Sequence, residues 1–473
     1  MIMRNNLGIL LPVASLPGRH GIGDFGESSI RFIDWLSENH YAYWQILPLN
    51  PLGPGYSPYM STCSNAFDYR YISLDELVKE GLIKKVKPFK EDASEVDYYE
   101  VGNFKSEVLW KAYLAYRKTN MKGMKEFRKA NPWVNHFATF EVFKNLNGQR
   151  AWNEWEKWQI TYFETHKLPP RRYKMEVEFS IFVQYIAAKQ WKKVLEYARS
   201  KNVKLIADMP FYCGFDSIEV WLHQDQFLLQ DYKQTHEGGV PPDAFSDIGQ
   251  LWGSPIYNFD KMKEDNYSLL VNRTGFLATI CDYLRLDHFR AFDTYYVIPA
   301  GMPDAKIGEW KIGPRTDFFD ALYKAYPDIN LIAEDLGDLF PSVLELRDHY
   351  NFPGMYIVEF TVFDVNAYPN NNLIVYPGTH DNETLAGWLK NLPRHNIDFL
   401  KWKFNEGDES KLFDRMFEYV LSLPSLMTIL PLQDLLRLDN SARLNSPGTV
   451  GYPNFVWKMN SFDMLNDITF KVS

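Results

Sequence analysis

Eight short apolar runs, each followed by a segment of helical periodicity, constrain the fold of this chain most strongly. The runs occupy residues 7–13, 43–49, 203–212, 283–289, 329–337, 353–360, 371–381 and 428–436. Short apolar runs that alternate with helices predict a buried parallel sheet. Eight such units predict a (β/α)8 TIM barrel of the α/β class. An open, doubly wound sheet is the alternative, but the glycines of residues 18–27 lack the spacing of a dinucleotide-binding loop.

A long stretch between the second and third runs interrupts this alternation. Residues 65–170 show helical periodicity with many charges, and we interpret them as an inserted, mostly helical subdomain. Residues 1–64 then supply the first barrel strands, and residues 171–473 supply the remainder of the barrel. A barrel with insertions commonly exceeds about 250 residues as one domain, so the length of this chain agrees with that division.

Residues 233–258 follow the third run and are dominated by Gly, Pro and small polar residues. This composition predicts a loop without regular structure. Phe245, Leu251 and Trp252 lie within it, and their aromatic and apolar side chains argue against disorder. A loop of this length in a compact domain is usually functional.

The charge balance and the hydropathy exclude two classes of partner. The net charge is -9, from 51 basic and 60 acidic residues, which provides no basic surface for nucleic acid or for an anionic membrane. No run approaches the roughly 18 apolar residues of a membrane span. The apolar run at the N-terminus is broken by Pro12 and does not resemble a signal peptide. We therefore expect a cytoplasmic protein.

The cysteines and the aromatic residues carry less specific information. Cys63, Cys213 and Cys281 are an odd number, and they lack the spacing of a metal site. They predict neither a disulfide framework nor a zinc centre. Aromatic residues make up 16% of the chain. A large aromatic core explains most of them, although some exposed rings would suit stacking on sugars.

Residues 283–292, YLRLDHFRAF, place four ionisable groups at the end of a predicted strand. Arg285 and Asp287 are two residues apart, so their side chains point to the same face and can share one cavity. A guanidinium beside a carboxylate lowers the carboxylate's pKa and keeps it ionised, as a nucleophile or an electrostatic stabiliser requires. A structural ion pair at a strand end is the alternative interpretation.

Acidic residues also follow several of the other predicted strands. The set comprises Asp208, Asp287, Glu334, Asp335 and Asp381, with His380 before the last of them. In a barrel, the carboxyl ends of the strands build the active site. Two carboxylates on opposite sides of an acetal carbon, with a third nearby, describe the cleavage of a glycosidic bond. A catalytic metal is the competing explanation, but a clustered acidic loop and a His/Cys ligand spacing are both missing, so we expect no metal.

Three of these segments resemble the catalytic motifs of a known family. Residues 284–292 (LRLDHFRAF), 331–337 (LIAEDLG) and 377–385 (PGTHDNETL) are similar, in order and spacing, to those of the 4-α-glucanotransferases called amylomaltases or disproportionating enzymes, glycoside hydrolase family 77. The likeness covers nearly the whole chain, including residues 8–26 and 238–259. It implies that Asp287 is the nucleophile, Glu334 the general acid/base and Asp381 the stabiliser of the transition state, and that Arg285 holds Asp287 ionised.

The resemblance also implies residues that bind substrate. His380 matches the histidine of the family's transition-state contacts, and Asp208 matches the acid of its first barrel motif. Tyr59 belongs to the family segment Ser-Pro-Tyr, although the preceding residues 53–56 depart from the family pattern. A capping role is the alternative for His380, and Asp335 is expected to make structural hydrogen bonds.

The segment with Asp243, Phe245 and Trp252 resembles the family loop that covers the substrate and lines the acceptor subsites. A transferase must hold the acceptor on aromatic surfaces and keep water out. The alternative is that these rings only fix the loop in place. Ala244 departs from the family here, because a tyrosine is often found at its position.

The reaction that the resemblance implies is disproportionation. An α-1,4-glucan or maltodextrin donor is cut with retention, and the glucanyl segment is transferred to the 4-hydroxyl of glucose or of a maltodextrin acceptor. No cofactor is expected. An α-amylase-type retaining hydrolase with the same three carboxylates is one alternative, and a non-catalytic glucan-binding protein on the same scaffold is another.

Overall fold

The computed structural model describes residues 6–242 and 246–468. Its centre is a sheet of eight parallel strands, which we number β1 to β8 in chain order. They are β1 (Leu7–Leu10), β2 (Tyr43–Gln45), β3 (Lys204–Met209), β4 (Tyr283–Leu286), β5 (Leu331–Ala333), β6 (Gly354–Ile357), β7 (Leu373–Tyr376) and β8 (Met427–Pro431). Seven of these strands fall within their apolar runs, and β8 begins at Met427, one residue before its run. Each strand is shorter than its run.

The strands follow one another around a barrel. β1 pairs with both β2 and β8, and the order then runs outward through β3, β4 and β5 on one side and through β7 and β6 on the other. The N–H of Ala333, in β5, donates to the carbonyl of Pro353, just before β6, at 2.8 Å. This bond joins the two ends of the sheet. The predicted (β/α)8 barrel is confirmed, and the open doubly wound sheet is wrong.

Helices surround the barrel and fill its long connections. The helices of the described residues are Glu27–Glu38, Leu74–Lys79, Tyr98–Tyr116, Lys122–Ala130, Trp133–Leu146, Lys157–Ile160, Tyr162–Thr165, Lys174–Ser200, Ile218–Leu222, Phe259–Glu264, Ser268–Thr279, Arg315–Ala325, Pro341–His349, Val358–Thr361, Leu385–Asn391, Arg394–Lys403, Leu412–Ser422 and Leu432–Leu435. Every residue of β1 and of β8 is buried. Helices cover the outer face of the barrel and packed side chains fill its interior, so the strands are buried on both faces. Apolar residues therefore do not alternate with polar ones along these strands.

The connection between β2 and β3 contains six helices before the long helix Lys174–Ser200. That part contacts the rest of the protein through Lys144, which forms an ion pair with Asp216, and through Trp152, whose Nε1 donates to Phe215 O at 2.7 Å. Both partners lie in the connection after β3. The boundaries of a separate subdomain at residues 65–170 stay a prediction.

The prediction that residues 233–258 lack regular structure is wrong. Strands His236–Val240 and Gln250–Pro255 pair with each other, and His236–Val240 also pairs with Thr294–Pro299, which pairs in turn with Glu309–Ile312. All these pairings are antiparallel, and we call the four strands the antiparallel sheet. The glycines that indicated a loop allow close pairing of these strands instead. At Gly239, a Cβ would lie 2.1 Å from the carbonyl oxygen of Gln250, so only glycine permits the pairing here.

In the part of the chain that the structure describes, no helix is both long enough and apolar enough to cross a membrane. The cytoplasmic location expected from the sequence stays a prediction.

Candidate active site

The carboxyl ends of β3 and β4 bring together an arginine and two aspartates. Asp208 and Arg285 are direct neighbours in the register of these strands. One nitrogen of Arg285, Nη1, donates to both carboxylate oxygens of Asp208 at 2.7 Å and to Oδ1 of Asp287 at 2.9 Å. Arg285 and Asp208 are almost fully buried, whereas the side chain of Asp287 remains 28% exposed. Asp287 therefore lies at the accessible side of a buried ion pair.

Glu334, directly after β5, is joined to the turn that follows Asp287. The N–H of His288 donates to Oε2 of Glu334 at 2.7 Å, and the N–H of Phe289 donates to its main-chain oxygen at 3.1 Å. His288 has a φ of 52°, a left-handed conformation that turns the chain sharply after the strand. This turn gives the Glu334 side chain a main-chain donor and keeps it next to the Asp287 segment.

The environment raises the pKa values of both acids. Burial raises the pKa of Asp287 to about 7 and that of Glu334 well above its usual range, and in each case Arg285 opposes the rise. The charge of Asp287 contributes to the shift of Glu334. The prediction that Arg285 keeps the pKa of Asp287 low is wrong, because burial outweighs a guanidinium that is shared with Asp208. Both carboxyl groups therefore keep a proton to higher pH than an ordinary carboxyl does, and the titration of each depends on the charge of the other.

Asp381 follows β7 and is held by residues near the C-terminus of the chain. Its Oδ1 accepts from Nδ2 of Asn445 at 2.6 Å, and its main-chain oxygen accepts from Nη2 of Arg443 at 2.8 Å. Its side chain is 38% exposed. The charge of Asp381 also raises the pKa of Asp287, so the two carboxylates interact across one site.

Tyr59 and His380 complete the buried side of this site. The Tyr59 hydroxyl donates to Oδ2 of Asp208 at 2.8 Å and lies 2.7 Å from Nε2 of His380. The same Nε2 lies 3.3 Å from Oδ2 of Asp381. His380 does not cap the following helix, Leu385–Asn391, because Thr384 accepts from the N–H of Gly387 there. The capping alternative for His380 is therefore wrong.

Trp252 reaches the site from the antiparallel sheet. Its ring meets that of His288 edge-on, with the centroids 4.8 Å apart, and its Nε1 donates to Oε1 of Gln250 at 3.1 Å. The side chain of Trp252 is half-buried. Asp243, Ala244 and Phe245, predicted in the same segment, lie outside the described residues.

Asp335 is turned into the fold. Its Oδ2 accepts from Nη1 of Arg347 at 2.5 Å, and its Oδ1 accepts from the N–H of Met355 at 2.7 Å. It thus links the end of β5 to β6. In the described ranges, no group of three or more His, Cys, Asp or Glu residues is arranged to hold a metal ion, and the three cysteines are buried and free.

Asn445 and Arg443 hold Asp381, and no strand or helix pattern in the sequence indicates this role. Asn445 begins the segment NSPGTVGYPN, at residues 445–454, but periodicity could not place this segment beside β7 because it lies outside the strand and helix pattern. The structure brings the two together through the connection that follows β8.

Comparison with known proteins identifies the family of this site. The family model described as 4-alpha-glucanotransferase, of glycoside hydrolase family 77, matches residues 11–464. The 4-alpha-glucanotransferase of Synechocystis sp. is 37% identical over 99% of this chain and 96% of that protein. That of Streptococcus pneumoniae is 36% identical over 96% of this chain and 92% of that protein.

A solved structure agrees with these sequence matches. The amylomaltase from Streptococcus agalactiae, determined in complex with acarbose, superimposes with a TM-score of 0.92 and 33% identity over 98% of this chain and 97% of that one. The resemblance stated from the sequence motifs is confirmed. The chain belongs to the 4-α-glucanotransferase family, the amylomaltases of glycoside hydrolase family 77.

Proposed function

We propose that Asp287, Glu334 and Asp381 carry out the transfer reaction of this 4-α-glucanotransferase by double displacement with retention. In the first step, a carboxylate oxygen of Asp287 attacks the anomeric carbon of the donor glucan. The bond to the glycosidic oxygen breaks, and Glu334 gives its proton to that oxygen, which leaves as the 4-hydroxyl of the released fragment. A glucanyl ester of Asp287 remains.

In the second step, the acceptor takes the place of the fragment that has left. Glu334, now a carboxylate, removes the proton from the 4-hydroxyl of glucose or of a maltodextrin, and the resulting oxygen attacks the anomeric carbon as Asp287 leaves. One α-1,4 bond has been broken and one formed, so the number of reducing ends is unchanged. Asp381 stabilises the positive charge that develops on the sugar in both steps.

The observation that carries this proposal is the difference between the hydrogen bonds of the two acids. Asp287 accepts from the guanidinium of Arg285, whereas Glu334 accepts from the main-chain N–H of His288. A cationic donor favours an ionised carboxylate more strongly than a neutral donor does. This asymmetry suits Asp287 to nucleophilic attack and Glu334 to holding the proton.

The neighbouring residues have supporting roles in this proposal. Arg285, which is held by Asp208, fixes the carboxylate of Asp287 from the buried side of the site. Tyr59 and His380 contact the hydroxyls of the sugar that reacts. Trp252 and Phe245 provide apolar surfaces for the acceptor, and Asp243 provides a polar contact to it. We assign residues 65–170 to a helical subdomain that is separate from the chemistry.

Incubation with pure maltotriose tests transfer against its alternatives. We expect glucose and a ladder of longer maltodextrins, separated by size, with a constant total of reducing ends. A rising total without longer products would indicate a hydrolase, and no change would indicate a binding protein. Glu334→Gln is the matched variant: it should lose about 10²- to 10⁴-fold in rate on maltotriose.

A further inference from the structure

Arg290 is a buried arginine three residues after Asp287, in the short turn Phe289–Phe292, and the reaction described above gives it no role. Its side chain is 7% exposed. Nη1 donates to the main-chain oxygen of Asp338 at 2.5 Å, whereas Nε is buried without a hydrogen-bond partner among the described residues. A buried guanidinium with one direct hydrogen bond needs another source of stabilisation.

Two aromatic rings supply that stabilisation. The guanidinium carbon of Arg290 lies 4.2 Å from the ring centroid of Trp310 and 5.3 Å from that of Phe340. The two rings meet at 75°, with their centroids 5.4 Å apart. Trp310 belongs to Glu309–Ile312, a strand of the antiparallel sheet, and Phe340 directly precedes the helix Pro341–His349. The cation is thus held by cation–π contacts from two different segments.

The contacts of Arg290 fix the segment that begins with Glu334. At its start, this segment is bonded to the turn after β4 through the N–H groups of His288 and Phe289. At residue 338, it is bonded to the same turn through Arg290. Both ends of residues 334–338 are therefore attached to one rigid turn, which leaves the Glu334 carboxyl little freedom to move.

The antiparallel sheet rests on the same turn at two points. Trp310 contacts Arg290, and Trp252 contacts His288. The strands of these two tryptophans belong to one sheet. A shift of Arg290 would therefore change the position of the whole antiparallel sheet relative to the turn. The turn therefore connects the acid/base segment to the sheet that carries Trp252.

The charge of Arg290 also acts on the carboxyl groups around it. Burial lowers the pKa of Arg290, whereas Asp338, Asp293 and Glu334 favour its charged form. Because the pKa of an arginine is so high, Arg290 remains protonated in spite of its burial. A fixed positive charge near Glu334 favours the ionised form of that carboxyl and so opposes the effect of burial on it.

We propose that Arg290 is a positioning residue for the transfer reaction. Clamped between Trp310 and Phe340, it fixes residues 334–338 and the antiparallel sheet relative to Asp287, so that the Glu334 carboxyl meets the glycosidic oxygen. This inference rests on the proposed role of Glu334 as the acid/base. It differs from that role because Arg290 acts through Glu334 and does not contact the sugar.

Two donors separate a positioning role from a structural one. Maltotriose needs a proton on its leaving oxygen, whereas α-maltosyl fluoride releases fluoride, which needs much less help from an acid. For Arg290→Gln, we expect kcat/KM to fall about 10²-fold with maltotriose, the loss that a displacement of about 1 Å can cause, and far less with the fluoride. A merely structural role lowers both values equally.

Two further variants complete the comparison. Trp310→Leu keeps the charge and the hydrogen bond of Arg290 but removes one ring, and it should show the same donor dependence with a smaller loss. It decides the question if Arg290→Gln does not fold, as judged by circular dichroism. Lys311→Gln is the matched control, because it removes an exposed cation from the same strand. We expect this variant to behave as the wild type with both donors.

The pH profile gives a second readout. Removal of a positive charge raises the pKa of Glu334, so the alkaline limb of kcat/KM with maltotriose should move to higher pH in Arg290→Gln. Equal losses on both donors with an unmoved alkaline limb would overturn the positioning role of Arg290. Failure of the proposed function would give a different result: the kcat/KM of Glu334→Gln would then fall equally with both donors.

Discussion

The hydroxyl of Tyr59 lies 2.7 Å from Nε2 of His380, and the two rings are parallel to within 5°. Because the hydroxyl hydrogen is donated to Asp208, the hydroxyl oxygen accepts a hydrogen from Nε2 of His380. His380 is then protonated at Nε2. Burial lowers its pKa, which keeps the ring neutral. A chain of hydrogen bonds therefore runs from His380 through Tyr59 to the ion pair of Arg285.

Removal of the Tyr59 hydroxyl should disturb this chain without a change in the shape of the site. In Tyr59→Phe, Asp208 loses one donor and His380 loses the acceptor that orients it. A hydrogen bond to a charged group contributes about 1.5 to 3 kcal/mol, so we expect kcat/KM with maltotriose to fall about 10- to 100-fold. Tyr56→Phe is the control, because Tyr56 stacks on Tyr98 through its ring. Equal behaviour of the two variants would contradict a role of the hydroxyl.

Glu334 should make the stability of the protein depend on pH. Its pKa in the folded protein is well above the ordinary value of about 4.5. Between these two pKa values the unfolded chain has lost the proton that the folded protein keeps, so stability is present at low pH and falls as pH rises. The loss is at most about 1.4 kcal/mol per pH unit for one group.

Glu334→Gln should remove this loss, because glutamine carries no charge at any pH. We expect the variant to match the wild type in Tm near pH 5 and to exceed it at pH 8, measured by circular dichroism. This gain in stability accompanies the loss of activity described above. A difference in Tm that is the same at both pH values would show that Glu334 is not the group that titrates.

The barrel and the acidic rim could be predicted from the sequence for a simple reason. Strands buried on both faces must be apolar throughout, so a charge marks the point where a strand leaves the core. Asp287 and Glu334 directly follow β4 and β5, Asp208 is the last residue but one of β3, and the register of the three strands brings these acids together. The period of two residues likewise placed Arg285 on the side of Asp287.

Other features depend on contacts that no local pattern contains. The antiparallel sheet is built from glycine-rich strands, and Gly239 is used there for close approach rather than for a turn. The pKa of Asp287 depends on how deeply the site is buried and on the sharing of Arg285 with Asp208. The support of Asp381 by Asn445 joins residues 64 positions apart. For the antiparallel sheet, composition predicted a loop. For Asp287, the proximity of Arg285 along the strand predicted a lowered pKa, whereas burial raises it.

Trapping of the covalent intermediate identifies the nucleophile directly. A donor fluorinated on the sugar ring and carrying a fluoride leaving group forms the ester but releases it slowly. Mass spectrometry of the digested wild type should find the adduct on Asp287, and Asp287→Asn should form none. Glu334→Gln is the positive control, since fluoride departs with little help from an acid. An adduct on any other residue would contradict the assignment.

Arg285 should control both stability and the acid limb of activity. Its guanidinium is almost fully buried and neutralises Asp208, which is buried as well. Removal of one partner of a buried ion pair costs about 3 to 5 kcal/mol, so Arg285→Gln should unfold at a lower urea concentration.

Loss of the Arg285 cation also raises the pKa of Asp287 above its value of about 7. Since attack requires the ionised form, the acid limb of kcat/KM should move to higher pH, whereas Arg285→Lys, which keeps a positive charge, should move it less. An acid limb that stays in place in Arg285→Gln would mean that the limb reports a group other than Asp287.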